Sequence, residues 1–331
     1  VRCIPCRTTA DAKIPDTAIM RFKALILAVL LSLAALDPSF AQTEYRCVPA
    51  ARAPAGVGTV IGRMLVHTVK PGETLLDIAR TYGLGFSELK AFHPGRDPWL
   101  LEEGSRLQVP ALWIVPATKH RGIAVNVPEM RLYRFHAKKG TVVTYPVTVG
   151  GEETQTPLGT YRVVEKEEDP EWNIPPKLRY KYNTKIMPAG PDNPIGKYWL
   201  GLSARGYGIH GTDNPWSVGR ILSNGCIRMY PEDIEKLYPD VPKGTVVEIL
   251  YEPVKFGLRG SVLFVEVHED PYGFIEDMGQ HARLVARKKG IEACADWDKV
   301  DEAIELKNGV PVPVGVLPKG GGGKKAARSR S

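Results

Sequence analysis

Tyr207-Gly208-Ile209-His210-Gly211-Thr212 and, after a spacer, Ser223-Asn224-Gly225-Cys226-Ile227-Arg228 set the frame in which the rest of the chain is read. A cysteine alone is more often a small buried apolar side chain than a nucleophile. The neighbours change that. Ser223-Asn224-Gly225 suits a tight turn that presents the thiol beside free backbone N–H groups, the donors that an oxyanion requires. His210 precedes Cys226 by 16 residues and follows the strand-like Tyr207–Ile209, so the two side chains are expected to meet across adjacent strands. An imidazole beside a thiol lowers its pKa, and the thiolate attacks a carbonyl. Arg228 offers a fixed positive charge for a carboxylate, or alternatively braces the loop. Tyr207 and Ser223 are placed in contact with substrate.

Around this pair the pattern is strands and turns. Ile123–Val127 and Arg131–Phe135 flank Pro128-Glu129-Met130 as a hairpin. Thr141–Val149, Gly159–Val164 and Thr245–Leu250 are further β-rich runs, and Pro188–Pro194 is loop. One helix is expected, Pro231–Tyr238, with proline at its first position and Glu232 and Asp233 in its first turn. The 331 residues are 43% hydrophobic and 24% charged, enough for two or three globular domains. The 33 glycines and 28 prolines favour β-rich domains over a helical bundle.

Upstream, residues 64–112 read as a separate small unit. Val66–Val69 is a short strand, Lys70–Thr74 a turn, and Thr74 a helix cap. Leu75, Ile78, Ala79 and Tyr82 then recur along one helical face. Phe86, Leu89 and Phe92 mark a second helix, and Gly104–Pro110 closes with a strand, giving βααβ.

The ends carry the charge. The formal net charge of +7 divides into +2 over residues 1–41 and +5 over 319–331, so the body is neutral. Nucleic acid is therefore not an expected partner. Met20–Lys23, the apolar run Ala24–Leu36 and the small residues Ser39 and Ala41 form a cleavable secretory signal over 20–41, which places the mature protein in the periplasm. Residues 1–19 are expected to be an over-extended start, 42–63 a lead-in without periodicity, and 319–331 a basic disordered tail. Beyond the signal, Cys47 and Cys294 form the one pairing that would spare Cys226, and isolated thiols are favoured over that bridge. The histidines lack a ligand spacing such as His-Glu-x-x-His, so no metal or other cofactor is expected.

Val69, Gly72–Leu75, Ile78-Ala79, Tyr82-Gly83 and Gly104…Leu107…Pro110 resemble the LysM module, with His93-Pro94 where Asn-Pro is usual. That resemblance implies binding to the glycan strands of peptidoglycan. The His210…Ser223-Asn224-Gly225-Cys226-Ile227-Arg228 pattern, with Thr156–Thr160, Pro188–Pro194 and Ile209–Thr212, resembles the L,D-transpeptidase catalytic domain over 119–250. Residues 251–318 are similar to the C-terminal α/β extension of periplasmic Gram-negative members. The resemblance implies a mainly β catalytic domain of sandwich type. It also implies acyl transfer from a stem peptide through a Cys226 thioester, with His210 as base, the carbonyl of Gly211 orienting it, and N–H groups of Gly225 and Cys226 holding the oxyanion. The acceptor is an amine of another stem or of a wall-anchored lipoprotein. A cysteine hydrolase of the same fold and a non-catalytic wall-binding protein are the alternatives.

Overall fold

The structure, a computed structural model, describes residues 43–47 and 57–317. The expected signal at 20–41, the stretch 1–19 and the basic tail 319–331 lie outside the described residues, as do residues 42 and 48–56 of the lead-in.

Strand β1 (Tyr45–Arg46) precedes a long hairpin of β2 (Gly58–Thr68) and β3 (Arg106–Ile114), which encloses helices α1 (Leu75–Thr81) and α2 (Phe86–Phe92). The α1 cap is as expected: Thr74 Oγ1 accepts from Asp77 N, and Asp77 returns a bond to the Thr74 backbone. The strands run further than the sequence pattern indicated. Gly58-Thr-Val-Ile61 belongs to β2 and not to a lead-in, and β3 continues to Ile114. Gly62 interrupts the apolar alternation; at φ +75° its place would bring a Cβ to 2.1 Å from the Ala111 carbonyl oxygen, so only glycine fits. Leu75, Ile78, Ala79 and Leu89 pack on Leu107 and Val109 beneath the helices.

The next segment supplies β4 (Gly122–Asn126), β5 (Arg131–His136), β6 (Thr141–Pro146), β7 (Val149–Gly150), β8 (Gly159–Glu168) and β9 (Trp172–Asn173). After the short helix α3 (Arg179–Tyr182) come β10 (Ile186–Met187), β11 (Tyr198–Leu202), β12 (Gly208–His210), β13 (Ile221–Ser223) and β14 (Ile227–Arg228). Helix α4 (Pro231–Asp240) and β15 (Val246–Leu250) complete it. Nine strands form one sheet in the order β1-β6-β5-β4-β15-β8-β11-β12-β14, antiparallel except for the β4–β15 and β12–β14 pairs. The inward faces of these strands, with Ile234 and Leu237 of α4, bury a core that includes Val125, Leu132, Val163, Leu200, Ile209 and Ile227. The mainly β expectation holds.

The C-terminal extension consists of β16 (Val254–Arg259), β17 (Val262–Val267), α5 (Met278–Lys288), α6 (Trp297–Leu306) and β18 (Val312–Val316). It is not an independent appendage. Its strands join the N-terminal hairpin in a five-stranded sheet, β18-β17-β16-β2-β3, with Gly257 opposite Gly58 in parallel register.

Charged side chains bury themselves where the three parts meet. Lys255 Nζ lies 2.7 Å from Glu129 Oε2 and 2.7 Å from Glu266 Oε1, and His268 Nε2 is 2.7 Å from the same Glu266 oxygen. Arg131 reaches from β5 into the helical unit, donating to Glu88 and the Gly83 carbonyl and stacking on Trp113 at 4.2 Å. Each of these groups is paired, as burial requires.

Candidate active site

Parallel pairing of β12 and β14 sets Ile209 opposite Ile227 and His210 opposite Arg228. Side chains two apart on a strand share a face. His210, Cys226 and Arg228 therefore point to one side of the sheet, and all three line one cleft of about 310 Å³. His210 ends β12, and Cys226 lies in the bend that leads into the adjacent β14.

His210 is 3% exposed, and its Nδ1 lies 2.6 Å from the Gly211 carbonyl oxygen. A carbonyl only accepts, so Nδ1 carries the proton and Nε2 keeps its lone pair for a base. Burial first, and then the charge of Arg228, lower the imidazole to about 4, against the pull of the Gly211 and Ile195 carbonyls. The Trp199 ring lies 5.7 Å from the imidazole and fills the space beside Gly208, where a Cβ would stand 2.4 Å from the indole.

The Cys226 thiol faces the Gly206 carbonyl at 3.6 Å. Burial raises its pKa, and the Gly208 backbone, Arg228 and Lys177 only partly oppose this. The sequence reading expected the imidazole to lower the thiol pKa; desolvation, a non-local effect, reverses the direction. At rest the pair is a neutral thiol beside a neutral imidazole.

The turn before Cys226 is built from its own hydrogen bonds. Gly225 sits at φ +102°, with a would-be Cβ only 2.6 Å from the Tyr207 ring. Its N–H donates to Ser223 Oγ at 3.1 Å, and Ser223 Oγ donates to the Cys226 carbonyl at 2.5 Å. Two expected roles change in consequence. Ser223, 2% exposed, lines the cleft, but its O–H proton is committed to the turn. The Gly225 N–H is committed to Ser223 and is not a free oxyanion donor. Tyr207 lines the cleft as expected, and its ring covers the turn.

Several cleft residues were not foreseen. Trp172 comes from β9, Lys177, Lys181 and Tyr182 from the segment between β9 and β10, and Arg205 from the turn before β12. Pro175-Pro176 and the loop that follows hide any periodicity there, so the sequence held no signal for them beyond the i, i+4 spacing of the two lysines.

Among the described residues, the two thiols outside the cleft form no disulfide. Cys47 is buried in the core under the helical unit, where desolvation raises it to about 11, and Cys294 packs against a different core. Glu129, Glu266 and His268 bring three ligand-type atoms within 4.8 Å of one another, but the Lys255 ammonium already supplies the cation among them.

Comparison with known proteins gives a family for the chain and a module for its N-terminal unit. Residues 120–249 match the model of the L,D-transpeptidase catalytic domain, and 67–110 match the LysM domain. The chain is 35% identical over 277 residues to the "Probable L,D-transpeptidase YbiS" of Escherichia coli K12, covering 78% of this chain and 90% of that protein. It is 40% identical over 212 residues to the "Probable L,D-transpeptidase ErfK/SrfK" of the same strain, covering 61% of this chain and 67% of that one. Among solved structures, the catalytic domain of the E. faecium L,D-transpeptidase aligns at 26% identity with a TM-score of 0.32, covering 40% of this chain and 98% of that domain.

Proposed function

The chain belongs to the L,D-transpeptidase family, and from that membership we propose that Cys226 is the nucleophile of an acyl transfer between peptidoglycan stem peptides. The observation that carries this reading is the pair itself: the Cys226 thiol and His210 line one cleft, and Nδ1 of the imidazole is held by the Gly211 carbonyl, which leaves the basic lone pair on Nε2.

The reaction runs in two halves. Cys226 Sγ attacks the carbonyl on the L-centre of diaminopimelate in a donor tetrapeptide while His210 Nε2 takes the thiol proton. That proton passes to the amine of the departing D-Ala as the C–N bond breaks, leaving a thioester. An acceptor amine, on a second stem or on a lysine of a wall-anchored lipoprotein, then attacks the thioester; His210 takes the amine proton and returns it to the thiol. Because both groups are neutral at rest, the proton moves during attack, and Arg228 limits how long the imidazolium persists. The N–H of Cys226 is the oxyanion donor, and Gly225 serves the turn that aims it. The LysM unit holds a glycan strand, and the enzyme works in the periplasm.

Intact-mass analysis of the protein mixed with a tetrapeptide donor tests the central step. The expected result is an adduct of the donor minus D-Ala on the wild type and none on Cys226→Ala, with both folded. An adduct on the Cys226→Ala protein would overturn the assignment. Mass spectrometry of wall digests from cells with and without the protein separates stem-to-stem from stem-to-lipoprotein products.

A further inference from the structure

The cleft is unbalanced in charge although the body of the protein is neutral. Lys177, Lys181, Arg205 and Arg228 all line it, and no aspartate or glutamate does. None of the four forms an ion pair among the described residues. The nearby carboxylate of Glu165 is held by Trp199 Nε1 at 2.9 Å.

These cations are positioned by separate local structures. Lys177 lies in the 3₁₀ turn Pro176–Leu178, which runs directly into α3 with Lys181. Their i, i+4 spacing puts both ammonium groups on one side of that turn. Arg205 stands on the turn that closes Tyr207 N–H onto the Ala204 carbonyl, next to Gly206, whose own carbonyl meets the thiol. Arg228 follows Cys226 on β14. Two further elements thus bring positive charge to the mouth of a site where a single arginine was expected.

Cations gathered without acidic partners favour an anionic ligand and repel a cationic one, and in a partly desolvated cleft that preference exceeds its value in open water. A donor stem peptide is a polyanion, with carboxylates at its D-glutamate, at the D-centre of diaminopimelate and at its terminal D-Ala. One guanidinium can fork onto only one of them.

We propose that Lys177, Lys181 and Arg205 form a second anionic subsite that selects donors whose side-chain carboxylates are free and discriminates against stems in which these are amidated. This deepens the transpeptidase reading and rests on it. The subsite binds substrate and takes no part in the chemistry, so its signature is in KM.

The test uses two synthetic tetrapeptide donors, one with a free carboxylate and one with a carboxamide at the D-centre of diaminopimelate. Release of D-Ala is measured with the full-length protein at several salt concentrations. The wild type should prefer the free acid by about tenfold or more in kcat/KM, equivalent to about 1.4 kcal/mol, and salt should erode that preference. Lys177→Gln, Lys181→Gln and Arg205→Gln should each raise KM for the acid and shrink the ratio. Lys288→Gln, an exposed charge on α5, should leave the ratio as it is. Equal turnover of both donors by the wild type, or variants that lose activity on both alike, would overturn the subsite alone. Failure of the wild type to release D-Ala from either donor would overturn the transpeptidase reading and the subsite together. Melting curves of each variant exclude unfolding as the cause of any loss.

Discussion

Charge is concentrated twice in this molecule, and the two concentrations have opposite construction. Around Glu129, carboxylates of Glu88, Glu129 and Glu266 are matched by Arg131 and Lys255, all hydrogen-bonded and all but the half-buried Glu88 fully buried. Around Cys226, cations gather with no matching acid and remain open to solvent. The buried set fixes how three parts of the chain meet. The open set leaves its electrostatic work undone until a ligand arrives. Unpaired charge is tolerable at a surface and costly inside, so the same residue types indicate assembly in one place and recognition in the other.

The contrast is broken most severely from the buried side. Lys255→Met removes the ammonium that bridges Glu129 and Glu266, and should destabilise the fold by about 3–5 kcal/mol. The Arg228→Lys change in the cleft should move stability by no more than about 0.5 kcal/mol. Chemical denaturation of both variants checks this; equal losses would show that the two sets of charges are not different in kind. Next in size is His210→Ala, which should reduce kcat by at least ~100-fold while the protein stays folded. A drop of less than tenfold in steady-state turnover would indicate another base.

A smaller effect tests the seam between the helical unit and the catalytic turn. Gly85 and Gly219 touch backbone to backbone: a Cβ on Gly85 would come within 2.6 Å of Gly219 Cα. Ser87 N–H donates to the Gly219 carbonyl, and Arg220 stacks on Phe86 at 4.3 Å. Gly85→Ala should cost roughly 1–3 kcal/mol and also reduce turnover, because 219–223 leads directly into the cysteine turn. Thermal melts and D-Ala release measured on one preparation would show whether the two losses travel together.

The smallest effects are in pH. His210 sits at about 4, so it remains a neutral base as pH falls through the ordinary histidine range. The kcat/KM profile should stay flat there and decline only towards pH 4; an acid limb between 6 and 7 would contradict it. Asp233 behaves in the opposite sense. It is 2% exposed, its Oδ1 has no partner, and burial raises its carboxyl to about 7. Between its unfolded value of 3.8 and about 7 the folded state keeps a proton that the unfolded chain releases, so its contribution to stability falls as pH rises through that window. Asp233→Asn should remove that slope, at most roughly 1.4 kcal/mol per pH unit, from a series of melts across the window.

What the sequence disclosed was local. The Cys226 motif, the spaced His210, the Thr74 cap and the α4 start depend on neighbours within a few residues or on one strand-to-strand step. What it concealed depends on distant partners. Arg131 reads as an ordinary strand residue until Glu88 and Gly83 surround it. Glu232 reads as a first-turn acid and proves to be paired with Arg80 through two bonds of 2.7 and 2.8 Å. The upward shift of the Cys226 thiol comes from the mass of protein around it, which no motif encodes. Gly58-Thr59 does not read as strand because its partner β16 lies near the other end of the chain.

That last pairing has a consequence for the order in which the molecule can be assembled. β2 is among the first segments to leave a ribosome or a translocation pore, and β16 is among the last. The helical unit can close its local hairpin at once, but the start of β2 remains an open sheet edge, and Glu129 stays without its lysine, until residues 254–267 have emerged. Long-range closure of this kind slows folding, and an unpaired edge invites the wrong strand in the interval. A chain released in one piece passes through that interval quickly, whereas one stalled before β16 is held in it, with Cys226 and His210 already synthesised and its charges unmatched.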